Sequence, residues 1–313
     1  MMKRDALLYV AGHQGLVGSA LIRLLAERGY TNIITRTFAE LDLRNQRAVN
    51  NFFMQHKPEY VFLAAARVGG IKANDTYPAD FMYDNLMIQT NVIHAAYRSG
   101  VKKLLFLGSS CIYPRDCAQP IKEEYLLTGP LEQTNEWYAL AKIAGLKLCQ
   151  AYNKQFGTCF IVAMPTNLYG PGDSFDLQNA HVIPALIAKC VAARESGAPE
   201  MVLWGTGTVR REFLYVDDLA KALLILMEKY TENYWINVGC GVDYTIAEIA
   251  QMIAQLVGFK GRLVYDTAMP DGTRQKLLDI SSMRALQWTP EISLEQGLRT
   301  TIAWYESLQR NKV

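Results

Sequence analysis

Five short apolar runs, separated by stretches of helical length, restrict the fold of this chain more than any other sequence feature. The runs are Leu7–Gly12, Asn32–Thr37, Tyr60–Ala66, Lys103–Ser110 and Cys159–Pro165. They are rich in Val, Ile, Leu, Phe and Tyr and apolar on almost every residue. Strands that are apolar on both faces belong in a parallel sheet that helices cover on each side.

The stretches between these runs carry the apolar spacing of amphipathic helices. Leu21, Leu24 and Leu25, for example, fall on one helical face. The predicted helices are Gly18–Arg28, Asn45–Lys57, Ala79–Arg98 and Glu136–Phe156. A strand–helix alternation of this kind predicts an α/β fold with a doubly wound parallel sheet, Rossmann-like, and right-handed crossovers.

The strand–helix alternation becomes less regular after Pro165. The segment Thr166–Asn179 is rich in Gly, Asn, Asp and Pro, which predicts a loop. Helices are then predicted at His181–Glu195, Ile246–Val257 and Leu294–Leu308, and strands at Met201–Trp204, Arg211–Val216, Trp235–Val238 and Leu263–Asp266. A length of 313 residues fits about two domains. We therefore expect a second, smaller α/β domain that is interleaved with the first.

A glycine triplet follows the first predicted strand and opens the first helix. Gly12, Gly15 and Gly18 have the spacing GxxGxxG. Glycines there permit a tight turn and let a pyrophosphate reach the unsatisfied N–H groups of the helix N-terminus. The triplet alone could be a turn without a ligand, but in this setting it predicts dinucleotide binding. The loop residues expected to contact the cofactor are Gly12, His13, Gln14, Gly15, Leu16, Val17 and Gly18.

The end of the second strand favours NADP over NAD. An NAD site places an Asp or Glu about 20 residues after the glycines, against the ribose 2′-hydroxyl. Here the strand ends in Arg36, and the first acidic residues are Glu40 and Asp42. A cation suits a 2′-phosphate, so we expect Arg36 to contact NADP; the alternative is a solvated surface arginine.

Tyr138 and Lys142 are four residues apart in a predicted helix and therefore project from the same face. Ser109 lies at the end of the fourth strand, where the carboxyl ends of parallel strands line the ligand crevice. A tyrosine hydroxyl, with a reference pKa of about 10, needs help to exchange protons at neutral pH. A nearby lysine cation favours the phenolate, so the trio predicts proton transfer at a C–O oxygen while hydride moves at carbon.

Composition excludes several classes of function. The 32 basic and 30 acidic residues give a net charge of +2, which disfavours nucleic acid as a partner. The six cysteines form no CxxC and have no histidines at zinc spacing, so we expect no metal site. No apolar run approaches the ~18 residues of a membrane span, and the N-terminus lacks a signal-peptide cleavage site. We expect no membrane partner and a cytoplasmic location.

Seven further motifs spread over nearly the whole chain carry a resemblance. They are GSSCIYP (108–114), PTNLYGP (165–171), HVIPALI (181–187), WGTG (204–207), RREFLYVDDLA (210–220), INVG (236–239) and PDGT (270–273). With the glycine loop and the Ser–Tyr–Lys trio, the chain resembles the extended short-chain dehydrogenase/reductase family, and within it the GDP-L-fucose synthases. The resemblance implies an NADPH-dependent enzyme that epimerises C3 and C5 of GDP-4-keto-6-deoxy-D-mannose and then reduces C4. It also implies a homodimer.

The resemblance implies further site residues and domain bounds. Cys111 and His181 match the acid/base residues of the family, and Ser109, Tyr138 and Lys142 its catalytic trio. Cofactor contacts are implied at Asp42, Leu43, Ala65, Leu107, Gly108, Ser109, Ser110, Lys142, Pro165, Thr166, Asn167, Leu168 and His181. Substrate contacts are implied at Asn167, Lys189, Trp204, Arg211 and Asp271. The NADP-binding domain would comprise 1–166 and about 208–240, and the nucleotide-sugar-binding domain about 167–207 and 241–313.

Two departures and three competing functions accompany the resemblance. Position 14 is Gln and position 189 is Lys where relatives place arginines.

GDP-L-colitose synthases, which act on a 3-deoxy sugar with similar machinery, are the alternative that the sequence leaves open. The 4,6-dehydratases carry acids after the catalytic Ser/Thr, and here Ser110-Cys111-Ile112 has none. A non-catalytic NADP sensor is disfavoured because Ser109, Tyr138 and Lys142 are all present.

Overall fold

A computed structural model describes residues 2–176, 180–268 and 272–310 of the chain. The strands are β1 (Leu8–Ala11), β2 (Ile33–Ile34), β3 (Tyr60–Leu63), β4 (Lys103–Leu107), β5 (Phe160–Pro165), β6 (Asn167–Tyr169), β7 (Glu200–Trp204), β8 (Arg210–Tyr215), β9 (Trp235–Val238), β10 (Asp243–Thr245), β11 (Arg262–Asp266) and β12 (Gln275–Lys276). The helices are α1 (Leu16–Glu27), α2 (Gln46–His56), α3 (Ile71–Thr76), α4 (Pro78–Arg98), α5 (Glu136–Phe156), α6 (Val182–Glu195), α7 (Val216–Lys229), α8 (Ile246–Val257), α9 (Ser281–Ala285) and α10 (Leu294–Arg310). Short 3₁₀ turns lie at Ser110–Ile112, Glu123–Tyr125 and Gln133–Asn135.

The central sheet has the order β2-β1-β3-β4-β5-β9 within the described residues, and all its pairings are parallel. The chain moves outward from β1 to β2 and then crosses to β3 on the other side of β1. Strand order therefore reverses at β1, and an open parallel sheet forms its ligand crevice outside the strand ends at such a point. The loops after β1 and β3 meet there.

Helices cover both faces of the sheet because side chains alternate along each strand. Tyr9 and Ala11 of β1 pack with α2, α4 and α5 in one buried cluster. Leu8 and Val10 pack with α1 and α7 in another. Burying an aliphatic side chain of this size contributes about 2 kcal/mol relative to leaving it exposed. The α/β, doubly wound prediction is confirmed.

A third hydrophobic cluster lies apart from these two. It joins α6, α8 and α10 to β7 and β8, and Ile187, Ile253 and Leu298 are completely buried in it. β8 pairs with β6, β10 and β12, whereas β7 pairs with β11 in a separate two-stranded sheet. Strand β8 therefore connects the segment after β5 with the second half of the chain.

A buried carboxylate reinforces this connection. Glu212 of β8 accepts backbone N–H bonds from Cys240 and Gly241 at 2.6 Å each and from Leu278 at 3.0 Å. Its backbone carbonyl accepts the Thr166 hydroxyl at 3.2 Å and the Asn167 amide at 2.9 Å. Burial raises the pKa of Glu212, and the three amides oppose that shift.

Most predicted elements lie within two residues of their observed bounds, and three departures matter. The loop predicted at Thr166–Asn179 is wrong at β6, since Asn167–Tyr169 pairs with Phe213–Tyr215. Helix α7 was not predicted, although it buries nine residues. Strand β2 has two residues rather than six, because only Leu8 and Tyr9 pair with it.

Candidate active site

The glycine loop is shaped by close backbone contacts. Gly12 has φ +83°, and a Cβ on it would lie 2.7 Å from the Ala65 nitrogen in the loop after β3. A Cβ on Gly18 would overlap the Gly12 carbonyl. A Cβ on Gly15 would meet only the Gly12 oxygen, at 3.5 Å. Gly12 and Gly18 are thus needed for the fold of the loop, whereas Gly15 keeps space open above the helix.

The N-terminus of α1 is suited to an anion. Gly15 is its N-cap and supplies no side-chain cap, and no acidic residue lies in the first turn. The Ser19 N–H is the first to bond within the helix, to the Gly15 carbonyl at 2.9 Å. Helical geometry therefore leaves the preceding N–H groups pointing outward, where they and the helix dipole favour phosphate oxygens.

Arg36 is held in place just beyond β2. Its guanidinium donates to the Thr35 carbonyl at 2.8 Å, and its Cζ lies 5.5 Å from the centre of the Phe52 ring. The nearby acids are occupied: Glu40 accepts the Thr37 N–H at 2.7 Å, and Asp42 forms an ion pair with Arg44 at 2.9 Å. The position thus presents a cation rather than an available carboxylate.

The other implied cofactor contacts lie mostly at the carboxyl ends of the central strands. Ala65 follows β3, Leu107 ends β4 with Gly108 directly after it, and Pro165 ends β5. Leu43 is buried in a hydrophobic cluster, so its backbone is what a cofactor could contact. Thr166, Asn167 and Leu168 continue from β5 into β6.

A dinucleotide fits these residues. Gly15 leaves a cradle that a side chain would fill, and the α1 N-terminus faces it. The buried Nδ1 of His13, in the glycine loop, has no hydrogen-bond partner among the described residues, nor has the buried Oδ2 of Asp173, which follows the Gly172 that packs on α1. Buried polar atoms in native proteins are usually paired, so unpaired ones at a helix N-terminus indicate a place for a polar ligand.

Ser109 and Tyr138 meet at the end of β4. Ser109 caps the 3₁₀ turn that follows, and its hydroxyl accepts the Cys111 N–H at 3.2 Å. Burial raises the pKa of Tyr138, the nearby Cys111 raises it further, and the Ser109 hydroxyl lowers it. The Phe81 ring packs edge-on against the Tyr138 ring, with centroids 6.4 Å apart. The two hydroxyls are therefore placed to bind one carbonyl oxygen together.

Lys142 is buried one helical turn beyond Tyr138. Its ammonium donates to the Leu107 carbonyl at 2.8 Å and lies 5.8 Å from the centre of the Tyr138 ring. Burial lowers the pKa of Lys142 to about 7. The lysine is close to its tyrosine, but its hydrogen bond goes to the backbone, and the expected stabilisation of a phenolate stays a prediction.

Cys111 has two polar neighbours that the sequence analysis missed. The Asn135 amide donates to its sulfur at 3.4 Å, and the Lys276 ammonium lies 3.9 Å from it. The Asn135 carbonyl oxygen is buried without a partner among the described residues. Asn135 could have been found from its place three residues before Tyr138, whereas Lys276 comes from β12 and had no local signal.

His181 comes from a separate element, as the N-cap of α6. Its side chain is exposed to solvent, yet surrounding protein atoms lower the pKa of the imidazole. An imidazole that is reached by solvent and also surrounded by protein atoms is typical of a cleft wall. No hydrogen bond in the described ranges joins it to Cys111 or Tyr138, so the structure places the thiol beside the tyrosine but the imidazole only on the neighbouring segment.

The implied substrate residues form a second group around β7 and β8. The Lys189 ammonium lies 5.1 Å from the centre of the Trp204 ring, and that ring is 53% exposed. Arg211 donates to the Arg210 carbonyl at 2.8 Å, and Gly272 packs close to its guanidinium. Asp271 lies outside the described residues. The cations and exposed indole suit a diphosphate and a flat base.

A family model matches residues 8–239, and its description is NAD dependent epimerase/dehydratase family. The chain belongs to that family. It is 57% identical over 305 residues to a putative GDP-L-fucose synthase 2 of Arabidopsis thaliana, covering 97% of this chain and 93% of the relative. It is 53% identical to the GDP-L-fucose synthase of Escherichia coli, covering 95% of each.

Two relatives with lower sequence identity are also similar to this chain. A GDP-L-colitose synthase of Yersinia pseudotuberculosis is 40% identical, covering 96% of this chain and 98% of the relative. A GDP-mannoheptose C4 reductase from Campylobacter jejuni, solved with NADP bound, superposes with a TM-score of 0.90 at 41% identity. It covers 98% of this chain and all of that one.

No group of His, Cys, Asp and Glu side chains among the described residues is arranged to hold a metal ion. No helix among those residues is long and apolar enough to cross a membrane.

Proposed function

We propose that this enzyme converts GDP-4-keto-6-deoxy-D-mannose into GDP-L-fucose by C3 and C5 epimerisation followed by C4 reduction. One observation carries the proposal: Cys111 lies beside Ser109 and Tyr138, since its N–H donates to the Ser109 hydroxyl and its thiol accepts from Asn135, three residues before Tyr138. A simple reductase needs only the hydroxyl pair. A second acid/base group beside it suits a reaction that also moves protons at the carbons next to the ketone.

Epimerisation begins at the 4-keto oxygen. When Ser109 and Tyr138 donate hydrogen bonds to this oxygen, they stabilise the enolate that forms as a proton leaves C3 or C5. Cys111 and His181 take that proton from one face of the ring and supply one to the other. Thiols and imidazoles have reference pKa values of about 8.5 and 6.5, so both groups exchange protons readily near pH 7.

Reduction then uses the same oxygen. The cofactor, NADPH, supplies the hydride that adds to C4. Tyr138 gives its proton to the C4 oxygen as that oxygen becomes a hydroxyl, and Ser109 keeps the oxygen in place. Lys142 holds its ammonium one helical turn away, on the Leu107 carbonyl. The choice of NADPH is supported by Arg36 and by the NADP in the related reductase.

The GDP moiety is assigned to the second group of residues. Arg211 and Lys189 are proposed to bind the pyrophosphate, Trp204 the guanine or ribose, and Asn167 and Asp271 the remaining polar groups. We also propose that 167–207 and 241–313 form the nucleotide-sugar-binding domain, with the rest forming the cofactor domain. The separate hydrophobic cluster of α6, α8 and α10 supports this division.

The fucose route is preferred to the colitose route. Five relatives named GDP-L-fucose synthase are 53–57% identical to this chain, whereas the colitose synthase is 40% identical. An assay with each 4-keto sugar, with and without the 3-hydroxyl, distinguishes them. We expect faster turnover of the 3-hydroxy sugar, and a preference for the 3-deoxy sugar would reverse the assignment.

A homodimer in the cytoplasm is also proposed. Helices α4 and α5 pack together and expose Tyr83 and Trp137, which a second copy could cover. The six cysteines are all unbridged thiols, as in a reducing compartment. Light scattering during size-exclusion chromatography tests the dimer, and Tyr83→Glu is expected to shift it towards monomer.

The central test follows deuterium in D2O. Cys111→Ser is expected to lose most exchange at C3 and C5 while keeping NADPH affinity within about twofold, since a hydroxyl is a far weaker acid/base than a thiol. NADPH affinity, measured by fluorescence, reports whether the fold is intact. Wild-type exchange in Cys111→Ser would remove the thiol from the mechanism.

A further inference from the structure

Asp173 is a half-buried carboxyl that the proposed reaction does not use. It lies in the loop between β6 and α6. Its Oδ1 accepts the Ser174 N–H at 2.8 Å, but its Oδ2 is buried and finds no hydrogen-bond partner within the described part of the chain. A buried carboxylate oxygen without a donor is costly, so this atom either carries a proton or awaits a ligand.

The loop that carries Asp173 lies against the first turn of α1. Gly172 has φ +96°, and a Cβ on it would lie 2.7 Å from the Ser19 hydroxyl and 3.7 Å from the Leu16 Cα. Leu16 and Ser19 belong to the helix whose N-terminus receives the pyrophosphate in the proposed function. Asp173 therefore directly follows a residue whose backbone lies against the first turn of the helix that begins the anion site.

The charged groups near this loop are already engaged or lie further along their elements. Arg23, one turn along α1, pairs with Asp217 of α7 at 2.6 Å. Tyr305 of α10 stacks on Phe175, and Asp176 has a partner of its own. The titratable or charged groups near the loop are Tyr215 beside Gly170, Tyr305 on Phe175, Asp176 within the loop, and the Arg23–Asp217 pair next to Ser19. None of the cations among them forms an ion pair with Asp173 in the described structure.

An ionised Asp173 would place negative charge beside the cofactor's own phosphates. We propose that the Asp173 carboxyl is protonated when the dinucleotide is bound and donates its O–H to a pyrophosphate oxygen at the N-terminus of α1. The proton comes from solvent, so binding the cofactor takes up one proton. The inference rests on the proposed NADPH-dependent function and adds a pH-sensitive contact to its cofactor site.

The ionisation of the carboxyl supports this geometry. Burial raises the pKa of Asp173 to about 7, opposed by the Ser174 N–H. A bound phosphate raises the pKa further because the like charge disfavours the carboxylate. Above pH 7 the cofactor-bound protein then holds a proton that the cofactor-free protein lacks, and affinity falls as pH rises.

The test is NADPH binding by isothermal titration calorimetry between pH 7 and pH 9, above the second ionisation of the 2′-phosphate at about 6. Wild-type Kd should rise by up to about tenfold per pH unit. Repeating the titrations in buffers with different ionisation enthalpies should show an uptake approaching one proton. Asp173→Asn, whose amide donates at every pH, should bind with a pH-independent Kd and no linked proton.

Two variants serve as controls. Asp173→Ala lacks the donor and should bind weakly at every pH, whereas His13→Asn should keep the wild-type pH slope if Asp173 is its source. A pH-independent wild type, or Asp173→Asn as weak as Asp173→Ala, overturns the inference while leaving NADPH as the cofactor. Affinity that increases with pH would assign an ionised carboxylate on a ribose hydroxyl instead. Absence of NADPH binding at every pH would instead overturn the proposed function.

Discussion

The glycine loop and the catalytic cluster lie at the same edge of one sheet but are built in opposite ways. The loop is seven consecutive residues, and its shape depends on Cβ atoms that glycines lack. The cluster draws Ser109 and Cys111 from one segment, Asn135 and Tyr138 from a second, and Lys276 from a third. Substitutions that add atoms should therefore damage the glycine loop, whereas substitutions that remove atoms should damage the catalytic cluster.

The largest effect should come from adding one carbon to the loop. Gly18→Ala places a Cβ on the Gly12 carbonyl, and the backbone must move. We expect the free energy of unfolding to fall by about 3 kcal/mol, with loss of NADPH binding. The matched control is Gly15→Ala, whose Cβ makes only an ordinary contact at 3.5 Å. It should keep its thermal midpoint yet weaken NADPH binding, and equal melting of both variants would remove the distinction between these glycines.

The next effect should come from removing one oxygen from the cluster. Tyr138→Phe keeps the ring on Phe81 but loses the proton donor, so kcat for C4 reduction should fall by about 10²–10⁴. NADPH affinity and the thermal midpoint should stay close to wild type. Proton exchange at C3 and C5 should partly persist because Ser109 still binds the ketone. Normal reduction by Tyr138→Phe would assign the proton to another group.

Lys142 should have a smaller effect, which is a pH dependence of the free energy of unfolding. Its pKa is lowered to about 7 by burial, whereas the unfolded chain binds the proton up to about 10.4. Between these values the unfolded state holds more protons, so the free energy of unfolding should rise with pH by up to about 1.4 kcal/mol per unit. Urea titrations of cofactor-free protein at pH 7.5 and 9 measure this slope. Lys142→Met should flatten it, and an unchanged slope would contradict a neutral lysine.

The smallest effect should come from Asn135. Asn135→Ala removes one hydrogen bond to the Cys111 sulfur, so we expect about a tenfold slower exchange at C3 and C5. Thr134→Ala, on the same 3₁₀ turn, is the control and should leave exchange unchanged. Deuterium incorporation followed by NMR measures both, and equal losses would point to the turn rather than to the amide.

The same contrast explains what could be predicted from sequence. Strands and helices of the central sheet have a local signal, so Glu136–Phe156 and Trp235–Val238 match their predicted bounds. The glycine loop is local as well. Helix α7 was missed although it has a local signal too, since Leu219, Leu223 and Leu226 fall at helical spacing on its buried face. Strand β6 was missed because its pairing with β8 joins residues far apart in sequence.

Within the site, some residues could be identified from the sequence and others only from the folded structure. Ser109 and Tyr138 could be named from a strand end and from helical spacing, whereas Cys111 was named from the resemblance to the family. The structure brings these three residues close together. Lys276 could not be named, since only the pairing of β12 with β8 delivers it to the sulfur. The orphan oxygens of Asn135 and Asp173 could not either, because burial is a property of the folded chain.

The carboxylate of Glu212 has a consequence for re-engineering. It accepts hydrogen bonds from the main-chain amides of Cys240, Gly241 and Leu278. A sequence that keeps that backbone path, and a glycine at position 239 where a Cβ would overlap the carboxylate, would satisfy it. Segments on either side of β8 could therefore be exchanged between homologues, because Glu212 would accept hydrogen bonds from the same backbone positions of the new segment.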